Sequence, residues 1–309
     1  MVVVSFPDAV LRDAVGDVAG IEPVLWDPGT GPAPDDRIEV VVAPYLGAAH
    51  KLAPVADLPN LRLVQLQSAG FDGVLEVVPE HVAVANAAGV YDAVTAELAI
   101  GLTIASLRGI PDAVRRGDEA RWEALGRRTS LVGKRVLVVG YGSVGTAIAR
   151  RFNAFEVDLT VMASKARAGD DLVDTVHGID ELAELLPHQD VVVVIVPLNP
   201  STSGLVDDAF LSAMPDGALL VNVARGQVAD TDALVKHAGR LRIALDVTDP
   251  EPLPDGHPLW TAPDVLITPH AGGNTDALVP MMAALLREQL TGLAAGDSPH
   301  HLVRPIVKT

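Results

Sequence analysis

Arg135-Val136-Leu137-Val138-Val139 runs directly into Gly140-Tyr141-Gly142-Ser143-Val144-Gly145, and then into Thr146-Ala147-Ile148-Ala149-Arg150-Arg151. An apolar strand, a G-x-G-x-x-G turn and a helix follow one another without a gap, and that order gives each glycine a physical task. The first permits a tight turn, the second lets the main chain approach a pyrophosphate, and the third lets helix and strand pack closely. The helix start, at Ser143, Val144 and Gly145, adds unpaired N–H groups and the positive end of the helix dipole for the phosphates. We read the stretch as the dinucleotide-binding turn of a parallel α/β sheet.

The flanking chain agrees. Short Val/Leu/Ile runs recur at Val2–Phe6, Ile38–Ala43, Leu61–Gln67, Leu159–Ala163, Val191–Val196, Ala218–Val223, Ile243–Asp246 and Val265–Thr268. Several are apolar throughout, as Val191-Val192-Val193-Val194-Ile195-Val196 is, which is the pattern of a parallel strand covered on both faces. Helical stretches separate them at Val144–Asn153, Asp180–Leu186, Asp207–Met214 and Thr231–Ala238. Alternating β and α elements predict a doubly wound parallel sheet. Tyr91–Leu107 is apolar on nearly all sides and predicts a buried helix. Asp112–Arg128 is a polar, arginine-rich arm whose Trp122 suggests a face covered by a second subunit, and Asp276–Ala295 predicts an amphipathic helix.

Composition narrows the function. The 309 residues suit about two domains. The net charge of −17 offers no electrostatic footprint for nucleic acid or for an anionic membrane. An anionic substrate would need a local cationic pocket. The chain has no cysteine, which excludes disulfides, thiolate nucleophiles and Cys-based metal sites, and we expect no metal. The start of the chain reads as a strand rather than a signal peptide, and no apolar run approaches the ~18–20 residues of a membrane span. A cytoplasmic, soluble protein is expected.

A site for NAD wants an acid at the end of the second strand, roughly 20 residues after the glycines, to accept from the ribose 2′-hydroxyl. Here that strand ends Met162-Ala163-Ser164-Lys165-Ala166-Arg167. Asp158 lies near its beginning, and Asp170 and Asp171 lie too far along. Ser164, Lys165 and Arg167 supply a hydroxyl and two cations, a set suited to a 2′-phosphate, so NADP (NADPH) is favoured, with NAD as the alternative.

Three later segments carry ionisable residues at the C-terminal ends of strands, the edge where open α/β sheets bind ligands. They are Asn222-Val223-Ala224-Arg225-Gly226, Asp246-Val247-Thr248-Asp249-Pro250-Glu251-Pro252 and Thr268-Pro269-His270-Ala271-Gly272-Gly273. Arg225 can grip a carboxylate with two parallel N–H bonds, a fork that Lys lacks. His270 is the residue placed at this edge whose side chain is suited to give and take a proton. Glu251 can hydrogen-bond the imidazole and orient it. The other eight histidines are read as inert.

Taken in order, Val139–Gly145, Asn222–Gly226, Asp246–Pro252 and Thr268–Gly273 resemble the D-2-hydroxyacid dehydrogenase family, which includes glyoxylate/hydroxypyruvate reductases and phosphoglycerate dehydrogenases. Gln67-Ser68-Ala69-Gly70-Phe71-Asp72 resembles the family's substrate-carboxylate loop, and Asn86 with Thr95-Ala96-Glu97 its linker helix. The resemblance covers nearly all of the chain after about Val40. It implies Arg225, Glu251 and His270 as the catalytic trio, with Ala69, Gly70, Arg225 and His270 toward the substrate. It implies Asp246 at the nicotinamide amide, and Val196, Pro197, Val223 and Gly272 as further cofactor contacts. The implied fold is two doubly wound parallel-sheet domains, a Rossmann-type cofactor domain over 96–274 inserted in a flavodoxin-like substrate domain over 1–95 and 275–309. A homodimer is also implied.

The implied activity is hydride transfer between NAD(P)H and a small 2-oxo acid such as glyoxylate or hydroxypyruvate. A dinucleotide-sensing, corepressor-like binding protein and a phosphite dehydrogenase-like enzyme are the alternatives. The family's formate-specific branch carries Gln where Glu251 stands, which disfavours formate. Glu156 replaces the usual Gly between the second helix and its strand.

Overall fold

A computed structural model describes residues 1–45 and 47–305. The last four positions of the expected substrate domain, 306–309, and Leu46 lie outside the described residues. The chain divides into two compact units, Met1–Tyr91 with Thr275–Thr309, and Asp92–Asn274.

The first unit begins with β1 (Val2–Phe6), α1 (Ala9–Val15), β2 (Ile21–Leu25), β3 (Val40–Val42), the one-turn helix α2 (Ala48–Lys51), β4 (Leu63–Gln65), the one-turn helix α3 (Val74–Val77) and β5 (Ala83–Ala85). These five strands pair in parallel in the order β2-β1-β3-β4-β5. That order is the flavodoxin-like one, with the sheet wound in both directions from β1 and β3. Val40, Val41 and Val42 are fully buried, as strands with both faces covered must be. The core gathers Ile38, Val41, Leu52, Val64, Val74 and Val84.

In the second unit, α4 (Asp92–Arg108) and α5 (Ile110–Asp118) precede β6 (Arg135–Val139), α6 (Ser143–Asn153), β7 (Asp158–Ala163), β8 (Arg167–Ala168) and β9 (Thr175–Gly178). There follow α7 (Leu182–Leu185), β10 (Val191–Val194), α8 (Asp208–Ala213), β11 (Leu219–Asn222), α9 (Thr231–His237), β12 (Arg242–Leu245) and β13 (Val265–Ile267). The sheet order is β13-β12-β11-β10-β6-β7-β9-β8, all parallel except β8 on β9. All of α4 belongs to this unit, which therefore starts at Asp92 instead of residue 96: the helix packs its buried Ala96, Ala99 and Thr103 face toward α6 and the strands behind it. The four valines of β10 are fully buried. Burying each contributes roughly 1.5–3 kcal/mol relative to exposure.

The first unit is completed by α10 (Leu278–Ala295) and β14 (Leu302–Arg304), which pairs antiparallel with β5. Buried Gln289 on α10 fixes that return: its amide donates to Gln65 Oε1 at 2.8 Å and accepts from the His300 N–H at 2.8 Å. Both units are α/β with mostly parallel sheets. The arginine-rich arm is helical only as far as Asp118. Beyond it the arm has no regular structure over 121–130, and Trp122 is 104% exposed in the single chain. Among the described residues no single helix is long and apolar enough to cross a membrane.

Candidate active site

The chain leaves β6 toward β7 on one side and later returns through β10 on the other. The topological switch of the second sheet therefore falls between β6 and β10, and the glycine turn sits at the C-terminal edge there. Gly140 has φ +111°, and a Cβ on it would stand 2.2 Å from the Ile195 carbonyl oxygen. A Cβ on Gly145 would stand 1.9 Å from the Gly140 carbonyl oxygen, so only glycine lets α6 begin this close to β6. A Cβ on Gly142 would meet nothing within 4 Å. The three positions thus divide as the spacing predicts, two packed against protein and one facing open space. Gly142 caps α6 with no side-chain hydrogen bond, and the first-turn N–H groups of Ser143, Val144 and Gly145 have no acceptor among the described residues. A pyrophosphate fits this arrangement. Ser143 Oγ donates to Asp92 Oδ1 at 3.3 Å, and burial of Asp92, partly offset by that bond, raises its carboxyl above the usual aspartate value.

Ser164, Lys165 and Arg167 are exposed beyond β7, and Val196 and Pro197 follow β10, so these groups flank the glycine turn along one edge. Arg167 folds back on that turn. Its Nη2 donates to the Tyr141 carbonyl at 2.8 Å, and its guanidinium carbon lies 5.8 Å from the Tyr141 ring centroid. Asp170, set aside in the sequence as too distant, is also brought here. Its Oδ2 accepts from the Tyr141 hydroxyl at 2.8 Å. The missed signal is the short β8–β9 hairpin, which folds residues 167–178 back beside β7.

The three catalytic candidates leave adjacent strands β11, β12 and β13 at the same edge. Buried Asn222 shapes the first turn, with its amide donating to the Arg225 carbonyl at 3.1 Å and accepting from the Ala224 N–H at 3.0 Å. Arg225 is half-buried, and its Nη1 donates to the Ala224 carbonyl at 2.7 Å. A Cβ on Gly226 would stand 1.9 Å from the Thr248 carbonyl oxygen, so this turn packs on the loop that carries Glu251. Glu251 Oε1 stands 2.6 Å from His270 Nδ1. His270 has φ +51°, a left-handed conformation uncommon outside glycine and frequent at functional sites.

Asp246 shows what holds His270 there. Its Oδ1 accepts from Thr268 Oγ1 at 2.6 Å and from the Ala271 N–H at 2.8 Å, and its Oδ2 accepts from the Gly272 N–H at 2.9 Å. The buried carboxylate thus ties down both sides of the His270 turn, a task the sequence did not reveal. Val223 is buried under the same edge.

In the first unit, the loop after β4 turns its carbonyls inward. The Gln67 carbonyl accepts from the Tyr91 hydroxyl, that of Ser68 from the Ala87 N–H at 2.9 Å, that of Ala69 from Asn86 Nδ2 at 2.7 Å, and that of Gly70 from Ser68 Oγ at 2.7 Å. The N–H groups of Ala69 and Gly70 have no acceptor among the described residues. A loop of this kind can take an anion. Among the described residues there is no cluster of three or more His, Asp or Glu side chains able to hold a metal.

Residues 100–272 match the model of the D-isomer specific 2-hydroxyacid dehydrogenase, NAD binding domain. The human glyoxylate reductase/hydroxypyruvate reductase is 30% identical over 312 residues, covering 94% of each chain. An NADPH-dependent glyoxylate/hydroxypyruvate reductase from Sinorhizobium meliloti, solved in complex with NADP and malonate, superposes with a TM-score of 0.80 at 26% identity, over 100% of this chain and 99% of that one. A D-isomer specific 2-hydroxyacid dehydrogenase from Xanthobacter autotrophicus, in complex with NADPH and MES, gives 0.79 at 28% identity, over 98% and 97%. The chain belongs to the D-isomer specific 2-hydroxyacid dehydrogenase family. It is an NAD(P)-dependent oxidoreductase of small 2-hydroxy and 2-oxo acids, with a nicotinamide dinucleotide as its cofactor.

Proposed function

We propose that this enzyme reduces small 2-oxo acids of the size of glyoxylate or hydroxypyruvate and uses NADPH in preference to NADH. The observation that carries the reaction is the 2.6 Å contact between Glu251 Oε1 and His270 Nδ1. It occupies one ring nitrogen and leaves Nε2 to give a proton to the substrate's carbonyl oxygen. The bound nicotinamide supplies the hydride. Arg225 grips the carboxylate and polarises the adjacent carbonyl, and Ala69 and Gly70 are further proposed substrate contacts. Gly140, Gly142, Ser143, Val144 and Gly145 take the pyrophosphate. Val196, Pro197, Val223, Asp246 and Gly272 are proposed contacts toward the nicotinamide half, with Asp246 also bracing the His270 turn. A second copy of the chain is proposed to cover Trp122, which light scattering of the wild type and of Trp122→Ala would test.

The preference for NADPH rests on Ser164, Lys165 and Arg167 standing where an acid would serve NADH. One or two exposed charge-assisted bonds, each at the low end of ~1.5–3 kcal/mol, correspond to roughly 10–100-fold. The test is a spectrophotometric screen of 2-oxo acids with NADPH and with NADH. Turnover of glyoxylate or hydroxypyruvate with a kcat/KM ratio well above one is expected. A ratio at or below one overturns the cofactor preference. Tight dinucleotide binding without turnover of any 2-oxo acid would show a sensing protein instead.

A further inference from the structure

Tyr141 occupies the middle of the glycine turn, and three of its parts are engaged at once. Its carbonyl accepts from Arg167 Nη2 at 2.8 Å, its ring lies 5.8 Å from the Arg167 guanidinium carbon, and its hydroxyl donates to Asp170 Oδ2 at 2.8 Å. Asp170 is itself anchored, since its Oδ1 accepts from the Leu172 N–H at 2.9 Å. Its carboxyl is held below the usual aspartate range by that main-chain bond and by the Tyr141 hydroxyl. The Tyr141 phenol is pushed up to about 12, first by burial and then by the Asp170 bond, so it stays a donor at any assay pH. Tyr141 as a whole is buried, 5% exposed.

These contacts fix an arginine that would otherwise be a mobile surface side chain. Arg167 projects from a two-residue strand at the edge of the sheet, where side-chain freedom is largest. The carbonyl of Tyr141 takes one donor of its fork, and the ring takes one face. Among the described residues Arg167 Nε and Nη1 find no acceptor, and no ion pair joins Arg167 to Asp170. The guanidinium is therefore held beside the turn with donors to spare for an anion.

We propose that Tyr141 and Asp170 are positioning residues for Arg167, and that through it they set how strongly the enzyme discriminates a 2′-phosphorylated dinucleotide from its 2′-hydroxyl counterpart. The proposal rests on the NADPH preference argued above. Neither residue touches the cofactor in this account. Tyr141 acts as the platform and Asp170 as the anchor that keeps the platform still. A preorganised donor loses less freedom when the phosphate arrives, which is where the added discrimination comes from.

The test measures dissociation constants of NADPH and NADH by nucleotide fluorescence, in the absence of substrate, for the wild type, Tyr141→Phe, Asp170→Ala, Arg167→Ala and the Tyr141→Phe/Arg167→Ala double variant. The readout is the NADH/NADPH ratio of dissociation constants. Arg167→Ala is expected to lower that ratio by about tenfold, and Tyr141→Phe and Asp170→Ala each by about three- to tenfold, the size of one lost hydrogen bond. The double variant is expected to match Arg167→Ala alone. Should Tyr141→Phe fold poorly, Asp170→Ala, whose side chain is exposed and which leaves no acceptor for the Tyr141 hydroxyl, reads the same contact.

An unchanged ratio in the single variants overturns the proposal. So does an equal weakening of both nucleotides, which would be a structural effect on the turn, or a further fall in the double variant. A loss confined to NADH in Asp170→Ala overturns it as well, because Asp170 would then be serving the ribose hydroxyl. A wild-type ratio at or below one removes the NADPH preference itself, and is told apart by appearing before any substitution is made.

Discussion

The imidazole of His270 meets Glu251 through Nδ1 at 2.6 Å, while the main-chain N–H of the same histidine donates to the Asp246 carbonyl at 2.8 Å. Two acidic residues thus hold one histidine, Glu251 by its ring and Asp246 by its backbone. That division lets the ring direction and the turn be perturbed separately.

His270→Ala removes the proposed proton donor and leaves the glycine turn untouched. Turnover of the best 2-oxo acid should fall by about 10²–10⁴-fold, the usual contribution of a general acid. The NADPH dissociation constant should stay within about twofold. Steady-state kinetics with a nucleotide titration check both, and near-normal kcat in the variant would remove His270 from the reaction.

Arg225→Lys separates charge from geometry. The buried Asn222 bracket fixes the backbone from which residue 225 projects, so a lysine there would start from the same place. It would bring a point charge and no planar fork. We expect kcat/KM for the 2-oxo acid to fall nearly as far as in Arg225→Ala. Recovery of most of the activity by Lys would show that charge alone suffices.

The parts legible in the sequence are those whose signal is continuous. Arg135–Val139 and the glycines after it could be placed residue by residue because strand, turn and helix each leave a mark within eleven positions. β2 was missed because Glu22 and Pro23 interrupt it, and it survives as an edge strand where a missing N–H is tolerated. β8 and β9 were missed because the Asp-rich stretch between them reads as a loop. Arg225, Glu251 and His270 stood out because each follows a strand. The bonds from Asp246 to Thr268, Ala271 and Gly272 span 22 to 26 residues, and no local pattern records them.

Glu156→Gly tests a backbone strain at the position where the sequence departs from the family's usual Gly. Glu156 adopts φ +58°, is exposed, and offers its carbonyl to the Gly133 N–H at 2.9 Å. A left-handed residue other than glycine costs roughly 1–2 kcal/mol, and glycine returns part of that through its own loss of freedom, about 0.5–1 kcal/mol. The main-chain bond survives the change and no packed side chain is lost. A gain of up to about 1 kcal/mol is expected, seen as a Tm rise of about 1–3 °C in a calorimetric scan. A fall in Tm would mean that the Glu156 side chain stabilises the turn by more than its backbone strain.

Asp92→Asn gives a pH signature. Asp92 opens α4 and faces Ser143 at the start of α6, where its Oδ1 accepts at 3.3 Å. Burial raises its carboxyl above the ordinary aspartate value and the Ser143 bond only partly offsets this. A raised value in the folded state means that the proton binds the native protein more tightly than the unfolded chain. The associated stability is present below the unfolded value of about 3.9 and is lost as pH rises through the folded one. Asparagine stays neutral throughout and keeps an oxygen for Ser143. Asp92→Asn should therefore melt above the wild type at about pH 7–8, with the difference shrinking as pH falls toward about 4. Thermal unfolding followed across that range checks the sign. A variant that melts below the wild type at neutral pH, or by the same margin at every pH, would show that ionised Asp92 costs the fold nothing.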